Sequence, residues 1–338
     1  MRFFNTAGPC NPEIHYSKQL PWPTDWDALF GRSAPLLVEI GFGSGQFLVE
    51  LARSRPSANI IGLEISLPCL RKAEKKLNTA GLRNGRILQA DAQLFLWALC
   101  SPQSLHEVYI NFPDPWPKER QMHRRLINQR FLHLLATRMV AGGTLDIATD
   151  HPDYQTAVVE SLLTTPTFES RLNTPFVTQD HERIRTKYEL KALAEGRTCH
   201  YYKWQRNHTP APNPFPVPLE YPMPHAVLQS PLTLRQISEQ FKPFQAAAGS
   251  THVNYLEAFQ SARDDTVLVE VYVVEEPFKQ RVGLAIRQRA DGKLVIGLHE
   301  IGFPRPTAGI QLAVKHLAEW VASLHPEAEI LHHNLADS

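Results

Sequence analysis

Five short apolar runs punctuate the first half of the sequence: Leu36–Ile40, Asn59–Ile65, Arg86–Ala90, Glu107–Phe112 and Thr144–Thr149. The stretches Gln46–Ser54, Pro68–Ala80, Gln93–Leu99 and Arg125–Val140 lie between them with helical spacing, and Asp153–Leu163 follows the last. A chain that alternates strand and helix in this rhythm buries its strands in a parallel sheet covered by helices. Later stretches near Phe168 and over Cys199–Trp204 predict added edge strands. The expected fold is α/β, a doubly wound and mostly parallel sheet. Ligands bind such sheets outside the carboxyl ends of the strands. Each run here ends in or beside an acid: Glu39, Glu64, Asp91, Asp114 and Asp150. One such acid would be an ordinary helix cap or turn residue. Five at equivalent strand ends predict a site.

Glu39-Ile40-Gly41-Phe42-Gly43-Ser44-Gly45 follows the first run directly. Gly41, Gly43 and Gly45 allow a tight turn and close approach of a ligand to the backbone. The dinucleotide fingerprint G-x-G-x-x-G fails, because its third glycine position falls on Gln46 or Leu48. Glu39 would repel a phosphate and suits a cationic ligand. Glu64, at the end of the second run, stands where an acid accepts from ribose hydroxyls. Asp91 is placed to accept from an adenine amino group. These residues describe an adenosine with a positive tail, S-adenosyl-L-methionine, with S-adenosyl-L-homocysteine as product. The pattern resembles the Rossmann-like, class I methyltransferases.

The fourth run leads into Asn111-Phe112-Pro113-Asp114-Pro115-Trp116-Pro117-Lys118. Each pre-proline residue is expected to be extended. In a β-like strip, Asp114, Trp116 and Lys118 share one side; in polyproline II geometry they do not. The basic run Arg120, Arg124 and Arg125 follows, opposed by Glu119. Beside an aromatic strip at a site mouth, it predicts contact with nucleic-acid phosphates.

Glu39–Gly45, Glu64, Asp91, Phe112–Lys118, Arg124–Arg125, Ala148–Asp150 and Thr186-Lys187-Tyr188-Glu189 together resemble the bacterial tRNA (guanine-N7-)-methyltransferases, in order and spacing, over about residues 20–206. The resemblance implies methyl transfer to N7 of the variable-loop guanosine at tRNA position 46. It implies that Glu39, Glu64, Asp91 and Asp114 line the cofactor. It further implies that Lys118, Asp150, Thr186, Lys187, Tyr188 and Glu189 contact the guanosine. Asp114 is the candidate catalytic residue, through positioning and electrostatics. Glu119, Gln121 and His123 depart from the family's more basic run, which weakens the expected phosphate grip. Rival readings are a class I methyltransferase with another substrate, a nicotinamide dehydrogenase, and a non-catalytic tRNA-binding protein with a vestigial site.

Composition bounds the rest. At 338 residues the chain is expected to hold two domains. Between His208 and Pro224 there are seven prolines, so residues 207–227 read as a linker between 1–206 and a small α+β domain over 228–338. That second part is expected to be a three-stranded meander, Thr266–Val274, Arg281–Gln288 and Lys293–Glu300, with a turn at Asp291–Gly292 and helices over Ala308–Leu324 and near Leu232–Phe241. It lies outside the usual family pattern. Residues 1–206 carry 25 Lys/Arg against 20 Asp/Glu, net +5, and the remainder 10 against 14, net −4, so the first part is the expected polyanion partner. Cys10, Cys69, Cys100 and Cys199 form no C-x-x-C pair, and no H-E-x-x-H occurs, so no metal is expected. No apolar run is long enough to span a bilayer, and Met1–Asn5 does not begin a secretory leader. The expected protein is cytoplasmic, monomeric or homodimeric, with tRNA as partner.

Overall fold

The computed structural model describes residues 13–335 except 214–215, 219–220, 264 and 302–303. Met1–Asn5, Cys10 and Pro214, used in the reading above, lie outside the described residues. The chain divides into two compact units, residues 1–217 and 218–338.

Strands β1 (Ile14–Tyr16), β2 (Leu36–Ile40), β3 (Asn59–Glu64), β4 (Gly85–Gln89), β5 (Leu105–Asn111), β6 (Met139–Thr149), β7 (Phe168–Ser170) and β8 (His200–Arg206) build the first unit's sheet. Their order is β1-β4-β3-β2-β5-β6-β8-β7. Strands β1 to β6 pair in parallel, while β8 runs antiparallel to both β6 and β7. The strand order reverses between β2 and β5, which places a crevice above the end of β2. This is the Rossmann-like arrangement of a class I methyltransferase.

Helices α1 (Trp26–Phe30), α2 (Gln46–Ser54), α3 (Leu67–Thr79), α4 (Ala92–Leu94), α5 (Gln129–Arg138), α6 (Pro152–Leu163) and α7 (Lys187–Ala194) fill the intervals. Helix α2 buries Phe47, Leu48, Leu51 and Ala52, and α3 buries Leu70, Ala73 and Leu77, the stripes that 3.6-residue periodicity requires. Gly45 sits at φ 73°, and a Cβ there would lie 2.5 Å from Ala73 Cβ, so only glycine lets α2 start this close to α3.

The expected helix over Arg125–Val140 is shorter. A 3-10 turn, Glu119–Arg124, comes first, and Asn128 caps α5 by accepting from Phe131 N at 3.0 Å. Helix α4 continues into a π-helical turn over Phe95–Leu99. Buried Arg138 donates there to the carbonyls of Leu96 and Trp97 at 2.6 and 3.2 Å.

The second unit exceeds the expected meander. Its sheet has seven antiparallel strands, ordered β10-β11-β12-β13-β14-β9-β15. They are β9 (His225–Gln229), β10 (Phe244–Ala248), β11 (Thr251–Gln260), β12 (Thr266–Glu275), β13 (Phe278–Gln288), β14 (Leu294–Leu298) and β15 (Glu329–His333). β9 begins inside the stretch expected to be linker. Helices α8 (Leu234–Gln240) and α9 (Ala308–Ser323) supply the apolar cover. Alternate residues Val267, Val269, Val271 and Val273 of β12 share a core with Ile310, Ala313, Val314, Leu317 and Val321 of α9.

Candidate active site

The glycine loop begins where β2 ends, at the crevice. Gly41 N donates to Leu63 O at 2.9 Å and Gly45 N to Phe42 O at 2.9 Å, which curls the loop back over the sheet. Glu64, at the end of β3, braces it from the side. Its carboxylate accepts from Gly43 N at 3.0 Å, Ile65 N at 2.8 Å and Ser66 N at 3.1 Å.

Beneath the loop lies Glu39, 1% exposed. Its Oε1 accepts from Asn111 Nδ2 at 3.1 Å, whereas its buried Oε2 has no hydrogen-bond partner. Burial pushes this carboxyl up to about 8; the Asn111 bond and the Arg183 charge oppose the shift, and Glu64 adds to it. A buried acid with one bare oxygen is costly alone and is suited to a positively charged group. A narrow cleft joins Glu39, Gly41 and Ser44 to Asn111, Thr186, Lys187 and Tyr188. The ligand end expected from the sequence and part of the expected substrate motif are thus neighbours.

Thr186 caps α7. Its Oγ1 accepts from Glu189 N at 3.0 Å, and the Glu189 carboxylate accepts in return from Thr186 N at 3.4 Å. Glu189 is 1% exposed and also accepts from Tyr201 Oη at 3.0 Å and from Arg183 Nε at 3.2 Å. Its charge is spent on holding α7 in place. Tyr188 is 58% exposed, with its Cε2 3.4 Å from where a Cβ on Gly43 would lie. The ring rests on the glycine loop.

Asp91, Asp114, Lys118 and Asp150 are not among the residues that line this cleft. Asp91 accepts from Gln93 N at 2.8 Å and Leu94 N at 3.2 Å, so it caps α4, the ordinary role of such an acid. Asp114 and Lys118 are exposed in the proline-rich loop. Asp150, at the end of β6, pairs with Arg197.

The proline-rich loop departs from the extended strip. Phe112 has φ 51° and Trp116 φ 42°, so two of the loop's three pre-proline residues lie in the left-handed region. Asp114, Trp116 and Lys118 therefore do not line up as a β-strand would align them. The Arg124 guanidinium stacks 4.2 Å from the Trp116 ring centroid. Arg120 and Arg124 are exposed. Arg125, expected to face RNA, is 9% exposed; its Nε donates to Pro115 O at 2.8 Å and it lies over the Tyr154 ring. It holds the strained loop from below. Asn111 and Arg183 were missed in the sequence. Asn111 reads there as a strand-end amide, and Arg183 lies in a polar stretch without periodicity.

Among the described residues, no group of three or more His, Cys, Asp or Glu side chains is placed to hold a metal ion. Nor is any helix there long and apolar enough to cross a membrane.

The family profile described as "Putative methyltransferase" matches residues 33–202. A tRNA (guanine-N(7)-)-methyltransferase of Thermus thermophilus is 33% identical over 302 residues, covering 88% of this chain and 92% of its own. A Thermotoga maritima protein of the same name is 31% identical over 303 residues, covering 88% and 93%. Alignments of that length cannot fit within residues 1–208, so the second unit is shared with these relatives, contrary to the expectation that it lies outside the family. A third relative, from Syntrophotalea carbinolica, is 36% identical over 209 residues, covering 60% of this chain and 90% of its own. With the sheet order, the glycine loop and the acids beside it already in place, these likenesses establish that the chain belongs to the tRNA (guanine-N(7)-)-methyltransferase family of S-adenosyl-L-methionine-dependent enzymes.

Proposed function

We propose that this chain methylates N7 of the variable-loop guanosine at position 46 of tRNA. The observation that carries the reading is the bare Oε2 of buried Glu39, a residue that lines a cleft shared with the first turn of α7. S-adenosyl-L-methionine, when bound, supplies an electrophilic methyl group on a cationic sulfur and an ammonium-bearing tail. Glu39, the glycines Gly41, Gly43 and Gly45, Glu64, Asp91 and Asp114 are the residues proposed to hold it.

Guanine N7 carries a lone pair and no proton, so no residue has to act as a general base. What the chain must do is position and compensate charge. Lys118, Asp150, Thr186, Lys187, Tyr188 and Glu189 are proposed to seat the base, with Glu189 acting from inside α7. A carboxylate at Asp114 or Asp150 accepts from the guanine N1–H and amino group and offsets the positive charge that the purine gains. Arg120 and Arg124 are proposed to meet backbone phosphates, and Arg125 to support the loop. A cytoplasmic location fits an enzyme acting on tRNA.

The test is incubation with labelled S-adenosyl-L-methionine and unmodified tRNA, followed by strand scission specific for 7-methylguanosine. Scission at position 46 is expected. In Asp114→Ala, kcat is expected to fall by roughly 100-fold or more while the cofactor still binds. Wild-type turnover in that variant would remove Asp114 from the reaction.

A further inference from the structure

Residues 171–186 connect β7 to α7 without a helix or strand of their own; Val177 bridges to Tyr201 of β8, Arg171 N donates to Lys203 O at 2.8 Å and Trp204 Nε1 donates to Pro175 O at 2.9 Å. This irregular segment delivers a guanidinium into the interior. The Arg183 side chain is 6% exposed. Its Nε donates to Glu189 Oε2 at 3.2 Å, inside the first turn of α7. Its Nη2 donates to Asn111 Oδ1, and Asn111 Nδ2 donates onward to Glu39 Oε1 at 3.1 Å. The guanidinium lies 5.6 Å from the Phe47 ring centroid and 5.5 Å from that of Tyr201. One planar fork thus reaches both the helix that closes the cleft and the amide that holds the acid at its floor.

The chemistry of the fork explains the choice of residue. Arginine presents several donors in a rigid plane and stacks on aromatic rings; lysine offers a single point charge and does neither. Removing such a buried cation would leave the Glu189 carboxylate short of its partner. The joint at Asn111 carries the same connection without adding a charge.

We propose that Arg183 is a positioning residue: it locks the first turn of α7 to the floor of the glycine-loop cleft, so that the cofactor side and the base side of the site move and bind as one unit. The proposal rests on the functional reading above, in which Glu39 faces the cofactor and Thr186–Glu189 the guanosine. It adds that occupancy of one side is felt at the other through Glu189, Arg183, Asn111 and Glu39. The coupling is thermodynamic, so each ligand must tighten the other by the same factor.

The experiment uses the full chain as wild type, Arg183→Lys and Asn111→Ala. S-adenosyl-L-homocysteine affinity is measured by calorimetry, tRNA affinity with and without that product, and kcat and KM for methyl transfer. In the wild type, S-adenosyl-L-homocysteine is expected to tighten tRNA binding. In Arg183→Lys, each ligand alone is expected to bind within about threefold of wild type, while the coupling factor falls to about one. The kcat of that variant is expected to drop by roughly tenfold, with KM for tRNA little changed. Asn111→Ala cuts the second joint, leaves the Arg183–Glu189 pair in place and is expected to lose the coupling too; it also serves if the lysine variant does not fold. Parallel loss of both affinities with coupling intact, a purely structural effect, would overturn the proposal. So would wild-type coupling in both variants, or a wild type with no coupling to lose. A wild type that binds no S-adenosyl-L-homocysteine at all would instead sink the underlying reading of Glu39.

Discussion

Burial pushes the Glu39 carboxyl from the ordinary carboxylate range up to about 8. Glu64 adds to that shift, and Arg183 and the Asn111 amide resist it. Between the ordinary carboxylate range and about 8, the folded chain therefore binds a proton that the unfolded chain has lost. This contribution to stability is complete below that range and is lost as pH rises towards 8. Glu39→Gln, which mimics the protonated acid, is expected to remove that slope, as read from urea midpoints between about pH 5 and 9. Cofactor affinity is expected to run the other way, rising with pH over the same window as the acid ionises to meet a cation. In the glutamine variant the affinity should be lower and flat, which calorimetry in buffers of different pH will reveal. Glu39 was legible in the sequence because an acid next to a glycine loop is a strong local pattern. Arg183 was not, since nothing near it in the chain announces that Asn111, 72 residues away, will meet it.

Among the elements, the strands of the first sheet were the easiest to read. Leu36–Ile40 and β3 beside it are buried on both faces, so they appear as near-continuous apolar runs. Short or capped elements escaped. β1 has three residues and α1 five, too few for any period to emerge. α7 is set by Thr186 and Glu189 rather than by an apolar stripe, and Thr186-Lys187-Tyr188-Glu189 was noticed only through a family likeness. Thr186→Ala is expected to cost about 0.5–2 kcal/mol of stability through the lost cap. Because α7 forms one wall of the cleft, it should also reduce methyl transfer by more than that loss of folded protein explains. A melting curve and a kcat measured on one preparation separate the two effects. The proline-rich loop misled for a different reason. The pre-proline rule favours extended backbone, but Arg125 pins Pro115 O and Arg124 covers Trp116, and these contacts hold Trp116 at a positive φ. Left-handed non-glycine residues cost about 1–3 kcal/mol each, and sequence alone does not say where tertiary contacts will support them.

For the molecule as a whole, the charge asymmetry fits the site's location, since every proposed contact lies in the net-positive residues 1–206. Arg120→Ala is expected to weaken tRNA binding about equally across tRNA sequences and to reduce the slope of log affinity against log salt by about 1. A binding series at several salt concentrations checks it, and an unchanged slope would place Arg120 away from phosphate. The second unit's extent was underread because β10, β11 and β15 lack the long valine alternation that exposes β12. Two long-aligned relatives share this unit, while a third aligns over only 209 residues that cover 90% of its own length.

Tyr188 leaning on Gly43 has a kinetic consequence. Any guest that approaches this glycine as closely as the ring does must first evict it, so the resting enzyme is partly self-occluded. On the proposed reading, in which the cofactor meets Gly43, the entry rate is expected to follow how often the phenol swings aside. Trimming the ring in Tyr188→Ala is expected to speed cofactor arrival by roughly two- to tenfold in stopped-flow traces. Turnover should fall in the same variant, because the door is also a wall of the room.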